Sequence, residues 1–461
     1  MKKLSKFEFE GGRMILLEKV GSVTIVGGGV AGIQAALELA NLGMLVYLVE
    51  ENPSIGGRII ELNCSSCRLE VPMDCSICPV IPKIVECYHH PNIKILTNAE
   101  IRGISGSAGN FQLNVLKKSR FVNEDKCTGC GACTEKCPVE IFDAFNMVKG
   151  RKKAIHFPLP QAFPQVPIID RESCLHFRSG TCEKCSEVCP SAAINFNDED
   201  MMIGIKSEAI ILATGLSLFD PSRIREYGYK RYKNVITILD LEQMTSIHGP
   251  TGGKIVRISD KKEPKSIAFI QCVGSRSRRT NNNFCSGVCC MYTAKDAALV
   301  KILKPETEVY VFYIDLRVFG KGYQELFNKV RNNLGVNYIR GRPGGIWEDP
   351  ETRDLIISFE NTLTQRAEKL RVDMVVLSPA LLPHPNNRRL AEFLGLELDE
   401  NGFFKSPNPV SQPFDTTLKG VFTCGYCRGP RGISESATQA SAAAGRVTET
   451  ITLAKMGRNK A

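Results

Sequence analysis

The sequence predicts an α/β protein built from two dinucleotide-binding domains, with a small thiol-rich domain inserted into the first. Three observations carry this. The run Val23-Thr24-Ile25-Val26-Gly27-Gly28-Gly29-Val30-Ala31-Gly32 passes from an apolar strand through glycines into an Ala/Leu-rich helix. Two runs of closely spaced cysteines, each closed by Cys-Pro, lie between Phe121 and Asn197. A later strand-forming run, Ser266-Ile267-Ala268-Phe269-Ile270, opens a second α/β unit without such glycines.

The first unit rests on the spacing Gly27-x-Gly29-x-x-Gly32. In that pattern one glycine makes a tight turn, one lets bare backbone approach a pyrophosphate, and one lets helix and strand pack closely. The phosphates are expected at the positive end of the new helix. A second strand, Met44 to Val49, ends at Glu50, where an acidic side chain meets a ribose hydroxyl in this arrangement. Gly56, Gly57 and Arg58 follow closely. Farther on come Ala213-Thr214-Gly215 after a short strand, and Gly420-Val421-Phe422-Thr423-Cys424-Gly425 near the end. These are similar to the later motifs of FAD enzymes with two dinucleotide domains, except that Tyr426 stands where an aspartate usually follows Gly425. FAD is the expected cofactor.

The insert carries Cys127-x-x-Cys130-x-x-Cys133-x-x-x-Cys137-Pro138 and Cys174-x7-Cys182-x-x-Cys185-x-x-x-Cys189-Pro190. This is the bacterial two-cluster ferredoxin pattern, in which each [4Fe–4S] cluster takes three cysteines of one run and the proline-linked cysteine of the other. Cys127, Cys130, Cys133 and Cys189 are therefore expected on one cluster, and Cys174, Cys182, Cys185 and Cys137 on the other.

In the second unit the chain reads Gln271-Cys272-Val273-Gly274-Ser275-Arg276 and then Cys285 to Tyr292, where nicotinamide-dependent relatives would carry phosphate-binding glycines. Cys272, Cys285, Cys289 and Cys290 suffice for a third [4Fe–4S] cluster, against the plainer reading of buried apolar thiols. Cys64, Cys67, Cys75 and Cys78 form two CxxC pairs that suit a fourth cluster, a zinc ion or a redox dithiol, with the cluster favoured. Cys87 reads as core packing; Cys424 and Cys427 flank the last flavin motif. Lys295 follows Cys290 by five residues, just over one helical turn, which would carry it toward the flavin ring. A solvated side chain is the equally open reading.

The boundaries that follow are a lead-in at 1–20, an FAD-binding domain in three parts (21–118, 201–262 and 381–461), a ferredoxin insert at 119–200 and a second Rossmann-like domain at 263–380. The net charge of +10 comes with no basic run interleaved with aromatics, which argues against nucleic acid. No stretch approaches the ~18 apolar residues of a membrane span, and the charged start lacks a signal-peptide core. Nineteen cysteines in metal-like groups suit the reducing cytoplasm, the expected location.

Together these motifs resemble the HdrA-like FAD/iron–sulfur proteins, the A subunits of heterodisulfide reductases. Further residues carrying the resemblance are Asp74-Cys75-Ser76-Ile77-Cys78, Phe269-Ile270-Gln271-Cys272-Val273-Gly274-Ser275-Arg276 and Phe319-Gly320-Lys321-Gly322-Tyr323. The resemblance implies a thioredoxin-reductase-like core in a short form without the family's extra N- and C-terminal domains. It implies Glu242 as the carboxylate partner of Lys295. It also implies heterodisulfide-reductase-like B and C subunits, an electron-donor subunit or ferredoxin as partners, and a homodimer within a larger complex. The expected function is electron transfer between flavin, clusters and partners, including flavin-based electron bifurcation. The alternatives are a non-bifurcating conduit of a quinone-linked or sulfur-metabolism complex, an NAD(P)H-dependent disulfide reductase, and a zinc-stabilised scaffold without redox turnover.

Overall fold

A computed structural model describes residues 21–62, 77–143, 150–159, 161–247 and 249–458. The near-continuous apolar runs of the first lobe form a five-stranded parallel sheet in the order Val421–Thr423, Ala209–Leu212, Ser22–Val26, Leu45–Val49, Ile93–Leu96. A parallel sheet needs cover on both faces, which is why these strands are apolar throughout rather than alternating. One face is covered by the Val30–Asn41 and Ile433–Arg458 helices. They meet through small residues, Ala36 and Ala40 on one and Ala440, Ala443 and Ala444 on the other, all in one core. The final helix runs on to Arg458, with apolar residues continuing inward at Val447 and Ile451.

The other face is covered by an antiparallel sheet of Met201–Ser207, Asn110–Lys117 and Ala99–Ser107. Here the pattern does alternate: Phe111, Leu113 and Val115 point inward while Asn110, Gln112 and Asn114 are exposed. The insert leaves this sheet after Lys117 and returns at Met201, its direct cross-strand partner. A long excursion therefore costs the ladder nothing. Within the insert, Phe121, Val122, Ile155, Val166 and Ile169 build a separate core against which the cluster thiols pack.

The second lobe is another five-stranded parallel sheet, ordered Val235–Thr237, Met374–Pro379, Ser266–Val273, Glu308–Tyr313, Asn337–Arg340. The antiparallel strands Pro343–Glu348, Leu355–Asn361 and Arg366–Val372 pack against it. The expected boundary at 262/263 needs correction. Val235–Thr237 pairs with Met374–Pro379, and the Ile238–Thr245 helix packs in the second core, so residues 235–262 belong to the second lobe. The reason is a long-range strand pairing that local pattern does not report. An antiparallel pair, Leu216–Leu218 with Leu381–Pro383, joins the lobes.

Candidate functional site

A cavity of about 810 Å³ opens between the two lobes. Of the expected flavin residues, Gly27, Gly29, Glu50, Gly56, Gly57, Arg58, Ala213, Thr214 and Gly215 line it. Gly32 and Gly425 act from behind. A Cβ on Gly32 would stand 1.8 Å from the carbonyl oxygen of Gly27, and one on Gly425 2.8 Å from the Cβ of Ala31. Gly29 is different: the nearest atom to its imagined Cβ is the Cα of Gly57, 3.9 Å away. A Cβ on Gly57 would stand 2.8 Å from the Cα of Gly29, so the two bare backbones pack directly against each other. The Val30–Asn41 helix begins at Gly29 with no side-chain cap and no acidic residue in its first turn. Its N-terminal N–H groups are left for an anion, as a pyrophosphate requires.

Glu50 is buried at the end of its strand, and its Oε2 accepts from the backbone N–H of Gly28 at 2.6 Å. Oε1 accepts from Asn52 N at 2.8 Å. Burial raises its pKa against the opposing effect of these bonds. Tyr426, in place of the usual aspartate, is buried and donates its hydroxyl to the Leu381 carbonyl at 3.0 Å, tying the last flavin motif to the lobe junction.

From the second lobe come Met291, Tyr292, Lys295 and Asp296 on the Cys289–Leu303 helix, with Glu242 on the Ile238–Thr245 helix. Lys295 and Glu242 form an ion pair, exposed by only 1% and 2%. The solvated-surface reading of these two residues is overturned. Residues not singled out in the sequence also line the cavity: Asp296, Glu61, Arg317, and Pro158 and Leu159 from the insert. The one signal for Asp296 is its place beside Lys295 in the second turn of a helix that starts at paired cysteines.

In the insert the structure sets cysteines of the two runs side by side. One cavity is lined by Cys127, Cys130, Cys133 and Cys189, which join the first run to the last cysteine of the second. Cys185 lies within electrostatic reach of Cys174, Cys133 and Cys137, thiols of both runs. In the second lobe, Cys289 feels Cys272, Cys290 and Cys285. Backbone N–H groups point at the sulfurs: Arg317 to Cys290 and Gly287 to Cys285, both at 3.4 Å. Cys272 is held in the left-handed region at φ +57°, a conformation tolerated for a non-glycine residue only where the surroundings enforce it. Burial pushes the free thiols of Cys289 and Cys290 up to about 12 and about 11. Coordination to iron deprotonates such thiols outright. Among the described residues no three metal-binding side chains converge on a single-ion site. Cys127, Cys130, Cys133 and Cys189 around one cavity, and the amides aimed at Cys285 and Cys290, are a donor set that suits thiolate-ligated clusters.

Cys64, Cys67 and Cys75 lie outside the described residues, and Cys78 is disulfide-bonded here. Cys87 is fully buried in the first core. Cys424 lines the flavin cavity, and Cys427 behind it donates to the Leu212 carbonyl at 3.2 Å; burial pushes both thiols up, Cys427 to about 11.

This arrangement defines a flavin- and iron–sulfur-containing oxidoreductase: two dinucleotide-binding lobes around one cavity, interrupted by a two-cluster domain. Residues 22–66 match the FAD-dependent oxidoreductase family and residues 126–193 the 4Fe-4S dicluster domain family. The fold is that of thioredoxin reductase, the Lactococcus lactis enzyme superposing at TM-score 0.51 and 13% identity over 94% of this chain and 99% of that one.

Within that class the chain is similar, over nearly its whole length, to the HdrA-like FAD/iron–sulfur proteins, the A subunits of heterodisulfide reductases. It is 44% identical over 433 residues, 94% of its length, to the iron-sulfur A subunit of the CoB–CoM heterodisulfide reductase of Methanocaldococcus jannaschii. It is 42% identical over 92% of its length to the A subunit of the H(2):CoB-CoM heterodisulfide,ferredoxin reductase of Methanothermobacter thermautotrophicus. The chain spans 64% and 62% of the lengths of these two relatives. Among the described residues no helix is long and apolar enough to cross a membrane.

Proposed function

We propose that this protein is the flavin hub of a heterodisulfide-reductase-like complex, passing electrons between FAD, its iron–sulfur clusters and partner subunits or a ferredoxin. One observation carries the reading. The Cys289–Leu303 helix presents two thiols of the third set in its first turn and Met291, Tyr292, Lys295 and Asp296 to the flavin cavity within the next two. A cluster and a flavin built on one helix stand within electron-transfer reach.

FAD supplies a carrier able to exchange electrons singly with clusters and in pairs with other acceptors. The chain's residues do the rest. The Gly27–Gly32 turn binds the pyrophosphate, Glu50 accepts from a ribose hydroxyl, and Lys295 holds a positive charge at the inner end of the cavity. Pro158 and Leu159 bring the ferredoxin insert against the same cavity, which supports relay through Cys127–Cys189 and Cys137–Cys185 to a partner. Cys272, Cys285, Cys289 and Cys290 would hold the cluster nearest the flavin. Bifurcation and B- and C-type subunits as partners belong to this proposal; that the relatives are A subunits supports the presence of further subunits.

Iron, sulfide and flavin quantitation with an EPR-monitored redox titration tests the reading. Three clusters require about twelve irons per chain and a fourth at Cys64–Cys78 about sixteen. Fewer than about eight would sink it. Flavin bleaching by NADH or NADPH would instead revive a nicotinamide-dependent reductase, which the Gln271-to-Ser275 turn disfavours. Crossed one-electron flavin potentials would establish bifurcation over the simple conduit.

A further inference from the structure

Lys295, Glu242 and Asp296 lie together at the inner end of the flavin cavity, each at most 2% exposed. Lys295 pairs with Glu242, and its Nζ stands 3.2 Å from Asp296 Oδ1. Within this trio two carboxyl groups face one ammonium. A buried uncompensated charge is costly enough that the group changes its protonation instead.

The structure indicates where the extra proton sits. Asp296 Oδ2 is buried and has no hydrogen-bond partner among the described residues. A buried acceptor without a donor, beside a second carboxylate, is accounted for if it carries a proton and is itself the donor. Burial first, and the charge of Glu242 second, hold Asp296 well above the usual carboxylate range. The other carboxylates lining the cavity have partners of their own: Glu50 accepts from Gly28 and Asn52, Glu51 pairs with His384, Glu100 pairs with Arg389, and Glu435 accepts from Gly432 N. Arg58 and Glu61 pair with each other at 2.8 Å. Arg317 pairs with Asp315, and Lys321 and Tyr323 line the same cavity without adding a carboxylate.

We propose that Asp296 is the proton reserve of the flavin site, reprotonating Lys295 after Lys295 has given a proton to the flavin ring. This rests on the flavin-hub reading. A flavin held here would need one proton along with two electrons from reduced iron–sulfur donors, and Lys295 would supply that proton. An N–H bond on Lys295 breaks and one on the ring forms. The Asp296 O–H bond then breaks to restore the ammonium, and water entering the cavity returns a proton to Asp296. Asp296 acts through Lys295 and is a positioning residue with a proton to give.

The test is stopped-flow reduction of the FAD- and cluster-loaded protein by dithionite, in H₂O and D₂O. D296N, which fills the same space without an acidic proton, should reduce its flavin at least about 10-fold more slowly at neutral pH, with full FAD content. Acidification should recover the rate. D296A should respond to added formic acid, and D296E should keep a wild-type solvent isotope effect. D296N matching the wild type in rate and isotope effect, with FAD bound, would overturn the proposal while leaving the hub reading intact. Should D296N fail to hold FAD, the wild type decides: flavin reduction without a solvent isotope effect sinks the idea. A wild-type protein with no FAD would sink the hub reading itself.

Discussion

Arg120 Nη2 donates to Thr97 Oγ1 at 2.7 Å, tying the root of the ferredoxin insert to the sheet that carries the flavin cavity. The same guanidinium reaches the carbonyls of Pro53 and Val166 and pairs with Glu124 at 2.8 Å, while only 2% exposed. Nearby, Ser54 Oγ accepts from Phe163 N at 2.8 Å, and Ile55 N donates to the Phe163 carbonyl at 2.9 Å. The insert is therefore held to the flavin loop 53–57 at Arg120, near its start, and at Phe163, in its middle.

Replacing Arg120 with Met should lower stability by about 2–4 kcal/mol, because it strands buried carbonyls and an ionised partner. The iron content of the insert should survive, since that domain has its own core. Thermal unfolding followed separately by flavin and cluster absorbance would check this. Coincident, unshifted transitions would refute it.

Glycines of the fingerprint should separate into two kinds. Gly32→Ala forces a methyl to 1.8 Å from a backbone oxygen and should cost about 3 kcal/mol of stability. Gly29→Ala meets nothing closer than 3.9 Å and should fold as well as the wild type. Its methyl projects where the cofactor backbone would pass, so FAD affinity should fall at least about 10-fold, or about 1.4 kcal/mol. Calorimetry and flavin titration of the two variants measure each effect.

The third set of thiols makes its own prediction. Cys290→Ser should remove about four irons per chain and leave FAD in place. Cys424→Ala should leave iron unchanged, because its fully buried neighbour is Cys427 and not a cluster set. Iron analysis and EPR of the purified variants decide both.

Glu50 predicts a pH dependence of the FAD-free protein. Its folded pKa lies above the ordinary 4.5, so the folded state binds the proton more tightly than the unfolded chain. Its contribution is fully present below pH 4.5 and is lost as pH rises through the raised value. Relative to wild type, E50Q should gain stability over that window and then hold a constant difference. Denaturant titrations at a series of pH values would show it, and parallel curves would argue against it.

Lys295→Met leaves two buried carboxylates without their cation. The apo protein should lose about 3–5 kcal/mol at neutral pH and regain part of it on acidification. The flavin midpoint potential should fall as the positive charge is lost. An unchanged potential would remove Lys295 from the site chemistry.

What could be read from the chain alone was whatever is encoded over short separations. The glycine turn, the acidic end of the second strand and the doubled ferredoxin spacing each specify their chemistry within a few dozen residues, because backbone geometry and ligand bite are local. The absence of a second glycine turn at Gln271–Ser275 was equally legible. Burial and long-range pairing were not. Glu242 and Lys295 are 53 residues apart, and nothing local distinguishes a surface ion pair from one shut between two lobes. Only packing placed them on the wall of a cavity, and only packing set Asp296 beside them. The same holds for Val235–Thr237, which joins the second sheet through a partner far along the chain. Local sequence therefore determined which cofactors the chain can hold, and tertiary packing decided which charges face them, because desolvation exists only once the lobes have closed.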